Sequence, residues 1–157
     1  MNATVEISNS CEDHWVPTQQ QCEDWLNCGL EVAGANKHCS ISLSFVDATQ
    51  SKSLNKDYRG KDAPTNVLSF PANFPVELQQ QVDTYPLGDI VICAAVVERE
   101  AAEQKKELAA HWTHLTVHGL FHLLGHDHAA AEQAAAMEGL ETNTLERLGI
   151  PDPYLLV

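Results

Sequence analysis

The sequence predicts an α+β fold, a small mixed sheet packed with helices, with one central helix buried on nearly all sides and carrying a row of histidines. Three observations lead there. Short segments of alternating apolar residues are interleaved, in irregular order, with segments of helical period. One stretch, residues 107–124, is apolar around most of its circumference, the mark of a helix inside its domain. A chain of 157 residues is long enough for one hydrophobic core and short for two, so residues 1–157 read as a single domain.

The elements follow in order. "TVEIS" begins as a strand, and "TQQQCEDWLNCGLEVAG" reads as a helix with Thr18 as N-cap and Gln21 three residues on, a capping-box pattern preceded by Pro17. "SISLSFVD" places Ile41, Leu43 and Phe45 on one face and serines on the other, a half-buried strand. "ATQSKSLNKDYRG" is a short helix closing at Gly60, and "PTNVLSFP" is extended and bracketed by prolines. "LGDIVICAA" is a strand running into the polar helix "VVEREAAEQKKEL". The histidine helix ends at Gly125, a residue suited to the left-handed position after a helix. A last helix over residues 130–148 stops at Gly149, before Pro151.

The net charge of −13 disfavours non-specific binding to nucleic acid, because a polyanion gains affinity by exchanging counterions for Lys and Arg. DNA is therefore not an expected partner, and any contact with RNA must be local. Four of the nine basic residues, Lys52, Lys56, Arg59 and Lys61, fall within ten positions and form the only anion-facing patch. No apolar run reaches the roughly 18 residues a membrane helix needs, and the first residues lack the pattern of a secretion signal, so a cytoplasmic location is expected. Five cysteines with no C-x-x-C pair argue against a disulfide framework or a cysteine zinc site, and Cys93 reads as a small hydrophobe in an apolar run.

At 100° per residue, His111, His114, His118 and His122 fall within an arc of about 80° on one side of the central helix. Such a stripe, followed directly by His126 and His128, points to a metal site in a cleft and not to isolated core histidines. His118 and His122, about 6 Å apart along the axis, can converge on one ion, whereas His114 and His122, about 12 Å apart, cannot easily share it. Gly125 lets the chain reverse just past the helix end, and His128 is the best-placed third ligand, giving H-x-x-x-H-x-x-G-x-x-H. Three neutral imidazoles suit one Zn²⁺ ion with its fourth position open. His114 lines the cleft one turn away and His126 points elsewhere, each with a site role or a packing role open to it. Asp127 is by default a cap of the following helix, the alternative being a hydrogen bond from a ligand histidine.

This spacing matches the metzincin proteases, in which a glutamate directly after the first histidine serves as general base. Here that position is Gly119, and Met137 lies in a helical stretch unlike a Met-turn. Peptide hydrolysis is disfavoured, unless a carboxylate from elsewhere stands in.

"HLTVHGLFHLLGHDH" resembles the signature of the YbeY family of bacterial endoribonucleases, which are rRNA maturation factors. "LNKDYRGKDAPTNVLSFP" is similar to the family's second block, and the ending "LERLGIPDPY" also fits, so the resemblance covers nearly the whole chain. It implies a metal-dependent hydrolase that cuts single-stranded RNA, takes part in maturing the 3′ end of small-subunit rRNA and contributes to ribosome quality control. It also implies zinc held by His118, His122 and His128, a functional cleft role for His114, and Arg59 facing the substrate. One departure is His126, where the family commonly has tyrosine.

The chemistry agrees. A zinc ion and the Arg59 guanidinium can together stabilise negative charge on a phosphodiester, and His114, if near, can shuttle a proton. Arg59 and Lys61 are the candidate substrate contacts, Lys61 through general electrostatics like Lys52 and Lys56, while Asn66 and Ser69 read as structural. The acidic surface suits a protein steered to the small subunit by its basic proteins as much as by RNA. Two other readings stand beside the nuclease: a zinc-bearing ribosome-assembly factor with weak catalysis, and a metzincin-like peptidase.

Overall fold

Strict alternation in "CSISLSFV" leaves two faces of unequal polarity, while the unbroken apolar run "IVIC" demands cover on both. The structure, a computed structural model describing residues 3–154, satisfies both demands with one four-stranded sheet of order β1-β2-β4-β3. The elements along the chain are β1 (Thr4–Asn9), α1 (Gln19–Val32), β2 (Cys39–Val46), α2 (Ala48–Arg59), β3 (Val67–Pro71), α3 (Val76–Gln79), β4 (Tyr85–Cys93), α4 (Ala94–Gln104), α5 (Leu108–Leu123) and α6 (Ala131–Arg147). β1, β2 and β4 run parallel, and β3 pairs antiparallel on the β4 edge. The predicted α+β class with a mixed sheet is the class observed.

β4 lies inside the sheet, which is why its alternate residues split between two cores. Ile90 and Ile92 join Ile41, Leu43 and Phe45 in the main core, which α1, α5 and Met137 of α6 complete. Val91 and Cys93 turn to the other face, where Val46, Leu68 and Val96 pack with Leu54 of α2. α5 is the hub of the main core: Trp112, Val117, Leu120 and Phe121 are all fully buried. Trp112 meets Phe45 edge-on at 5.1 Å between ring centroids and Trp15 at 6.4 Å, the offset geometry that aromatic quadrupoles favour.

The local signals act as read. Thr18 caps α1 with its side chain accepting from the Gln21 N–H, while the Gln21 side chain accepts from the Thr18 N–H. Asp47 and Gln50 repeat that reciprocal pair at α2, which ends at Gly60. Two boundaries differ from expectation. β4 gives way to α4 at Ala94 and not after Ala95, and α4 ends at Gln104, because Lys105 takes a left-handed φ of 54° and turns the chain into α5. The single turn of α3, four residues long, carries too little periodicity to be read in advance.

Leu120→Ala, which empties a fully buried site beneath α1, should lower the urea-unfolding free energy by about 2–5 kcal/mol.

Candidate functional site

The site begins with how α5 stops. Gly125 adopts φ 95°, its N–H donates to the His122 carbonyl and the His126 N–H donates to the Phe121 carbonyl, the paired bonds of a Schellman ending. His126 then packs edge-on against Phe121, directed away from the other histidines. The reversal brings His128 back beside the last turn of the helix. Nitrogen atoms of His118, His122 and His128 all lie within 4.8 Å of one another, with ring centroids 4.7, 5.1 and 5.5 Å apart. Asp127 does not cap α6; it accepts from the His128 N–H at 2.7 Å, while the N-cap of α6 is Ala130, whose N–H donates to the Gln133 side chain, so Asp127 shapes the loop that carries His128.

These three imidazoles form one wall of a cavity of about 250 Å³. The rest of its lining is Arg59 with Thr65, Asn66, Val67, Ser69 and Pro71. Two buried polar residues on α2 hold this part of the lining in place. Ser51 Oγ donates to the Thr65 carbonyl and accepts from the Thr65 N–H, and Asn55 Nδ2 donates to the Ala63 carbonyl at 2.7 Å. The loop after α2 is thereby folded back, and Arg59 reaches a cavity whose histidines lie about sixty residues later in the chain. Arg59 is exposed and forms no ion pair among the described residues. Lys61, two residues on, is exposed and outside the cavity wall.

Asn66 and Ser69, read as structural, are both anchored and in the wall. Asn66 Nδ2 donates to Glu100, which also pairs with His111 Nε2 at 3.0 Å, and Ser69 Oγ donates to the Gly119 carbonyl at 2.9 Å. The histidine row is thus divided. His111 belongs to Glu100 and the interior, and His114 lies one turn from the triad but is not among the residues lining the cavity. His114 Nε2 is 2.8 Å from Glu141 and 3.2 Å from the Tyr154 hydroxyl, while its buried Nδ1 has no partner among the described residues. That commitment keeps His114 out of the cavity wall where the sequence reading placed it.

Glu141, from α6, joins the histidines from outside their motif. Its carboxylate is 1% exposed, and one oxygen, Oε1, lies 2.8 Å from His114 Nε2, 3.1 Å from His118 Nδ1 and 3.0 Å from the Tyr154 hydroxyl. Burial alone would raise its pKa; hydrogen bonds from His114 and His118 outweigh that and hold it at about 2. The sequence carries a signal for it: Glu141 shares a buried stripe with Met137, Thr144 and Leu145, where a carboxylate needs a reason to be. Burial pushes the pKa of His122 down, with its neighbours His118 and His128 acting in the same direction, and burial likewise lowers that of His111 against the pull of Glu100.

The donor set fits a divalent ion. Adjacent imidazoles on a tetrahedral zinc would have nitrogens about 3.3 Å apart, and His118 Nε2 and His122 Nε2 are separated by 3.1 Å. A second group, His114, His118 and Glu141, is also close enough to be considered, but its contacts are of hydrogen-bond length and its carboxylate is shut from solvent.

The family model for Endoribonuclease YbeY matches residues 6–149 of this chain. The chain belongs to the YbeY family. The Endoribonuclease YbeY of Alkalilimnicola ehrlichii is 50% identical over 141 residues, which is 90% of this chain and 84% of that protein. A solution structure of a Thermotoga maritima protein, at 22% identity, superposes with a TM-score of 0.55 over 98% of this chain and 100% of that one, and shares the fold.

Within this YbeY fold the absent glutamate of the protease motif has a steric cause. A Cβ on Gly119 would lie 2.9 Å from Ile90 Cγ2, 3.2 Å from Ser69 Oγ and 3.2 Å from Val67 Cγ2, so the helix backbone rests directly on β3 and β4. No carboxylate can enter the motif there.

Gly119→Glu should therefore leave the protein unfolded or insoluble without creating peptidase activity, and Gly119→Ala should cost about 1–3 kcal/mol by overpacking, as read by thermal denaturation and a casein assay. The lowered values of His111 and His122 have a sign. The unfolded chain takes up protons near pH 6.5 where the native chain resists them, so their contribution is present above that pH and lost as pH falls through it toward the native values. Metal-free protein should show a lower urea midpoint at about pH 5.5 than at about pH 8, and His111→Gln should narrow the difference.

Proposed function

We propose that this protein is a metal-dependent endoribonuclease for single-stranded RNA, acting in 3′-end maturation of small-subunit rRNA and in ribosome quality control. The observation that carries the reading is one cavity lined both by a three-histidine cluster and by a guanidinium that forms no ion pair among the described residues. In this reading His118, His122 and His128 hold one Zn²⁺, whose contribution when bound is Lewis acidity, acidifying water and offsetting charge on a phosphate. Membership of the YbeY family supports the choice of RNA phosphodiester over peptide, as does the closed position at Gly119.

The chain's own residues supply the rest. Arg59 offers two parallel N–H donors to a phosphate, a geometry that strengthens as negative charge grows at phosphorus in the transition state. Asn66 and Ser69, tied to Glu100 and Gly119, keep their part of the lining at a constant distance from the triad. Lys61 contributes through its field and not through the wall. His114 acts through Glu141, away from the reacting atoms.

A net charge of −13 gives weak, salt-sensitive affinity for naked RNA, so delivery by basic small-subunit proteins fits this surface, and a cytoplasmic site of action follows from that role. The same charge favours a second reading, a metal-bearing assembly factor with weak catalysis.

Cleavage of a single-stranded RNA carrying a 3′ extension of small-subunit rRNA, at low salt, separates the two. His122→Ala should abolish it, Arg59→Glu should reduce it by about 10²–10³-fold and Arg59→Lys less, and chelation should remove it until Zn²⁺ is restored. Equal cleavage by all preparations would assign it to another site or a contaminant and leave the assembly-factor reading.

A further inference from the structure

We infer that Glu141 is the positioning residue of the metal centre, holding the proton of His118 on Nδ1 so that Nε2 is presented, unprotonated, to the ion. The inference rests on the metal-centre reading above and adds a residue from outside the histidine motif.

The argument starts from an oddity of packing. Glu141 lies on the buried stripe of α6 with Met137 and Leu145, a place where a carboxylate is retained only if its oxygens are well used. Its Oε1 is used three times, by His114 Nε2, His118 Nδ1 and the Tyr154 hydroxyl, at 2.8, 3.1 and 3.0 Å. A carboxylate oxygen only accepts, so each group facing it donates. A neutral imidazole carries one N–H. With that proton at Nδ1, the lone pair of His118 is at Nε2, the atom facing His122 Nε2 at 3.1 Å. The same logic applied to His114 gives the opposite result: its proton is at Nε2, toward Glu141, and its buried Nδ1 has no partner among the described residues. One carboxylate thus sets two histidines a helical turn apart to opposite tautomers, selecting His118 as a ligand and His114 as a brace.

The geometry requires tertiary structure. His114 and His118 project side by side from α5, and only a side chain from a helix packed across them can reach both ring edges; α6 supplies it. Tyr154, beyond the end of α6, closes the arrangement, its ring edge-on to His114 at 5.4 Å and its hydroxyl donating to the same oxygen. The segment "PDPY" thereby gains a purpose, bringing the Tyr154 hydroxyl and ring against this carboxylate and its histidine.

The test reads the tautomer directly. Long-range ¹H–¹⁵N correlation spectra of the metal-free native protein should show His118 protonated at Nδ1, and Glu141→Gln should lose that preference. Zn²⁺ affinity, measured by competition with a chromophoric chelator, should fall about 10–100-fold in Glu141→Gln, with His122→Ala as the ligand-deletion control. A native His118 protonated at Nε2, or a Glu141→Gln protein that binds Zn²⁺ as tightly as the native chain, overturns the positioning role while leaving the centre intact. If His122→Ala binds Zn²⁺ as tightly as the native chain, the metal-centre reading fails and this proposal with it. Because the native spectrum needs no substitution, the inference stays testable even if Glu141→Gln does not fold.

Discussion

The close approach of α5 to β3 and β4 at Gly119 governs the geometry around it. With only a hydrogen atom between the helix backbone and Ile90, Val67 and Ser69, the helix is held closer than a Cβ would allow without a shift of its neighbours. His118 precedes this contact and His122 lies one turn past His118. Their direction is therefore fixed by the seating of the helix and not by their own packing. Ser69 Oγ, bonded to the Gly119 carbonyl, ties the cavity lining to the same point. Glycine there is costly in helix propensity, by about 1 kcal/mol relative to alanine, and the contact it allows outweighs that cost.

Carboxylates divide the histidine row. Glu100 takes His111 and, through Asn66, connects the interior to the cavity wall. Glu141 takes His114 and one edge of His118. What is left, His118 Nε2 with His122 and His128, faces the cavity. Both carboxylates come from helices other than α5, so the chemical difference among four similar side chains is imposed by neighbours. An acidic protein with a local cation fits the same logic. Arg59, held by Ser51 and Asn55 through the loop that follows it, faces the cavity without a carboxylate partner among the described residues.

Several features were legible in the sequence because they depend on neighbours a few residues away. The capping box at Thr18, the alternation of β2, the left-handed Gly60, Gly125 and Gly149, and the convergence of His118, His122 and His128 are all of this kind. Each follows from a helical or strand period or from one residue's allowed φ, quantities that do not wait for the fold.

The tertiary structure alone decided the rest. It chose which edge of His118 meets a carboxylate, committed His114 to Glu141 and not to the cavity lining, and brought Arg59 to the triad while leaving Lys61 outside. It also showed that Gly119 has no room for the glutamate its motif would otherwise suggest. These outcomes depend on where α6 and the loop after α2 pack against α5 and β3, contacts between segments far apart in the chain. A period along one helix can place histidines on one side, but only the element packed against that side determines which of them are left facing the open space.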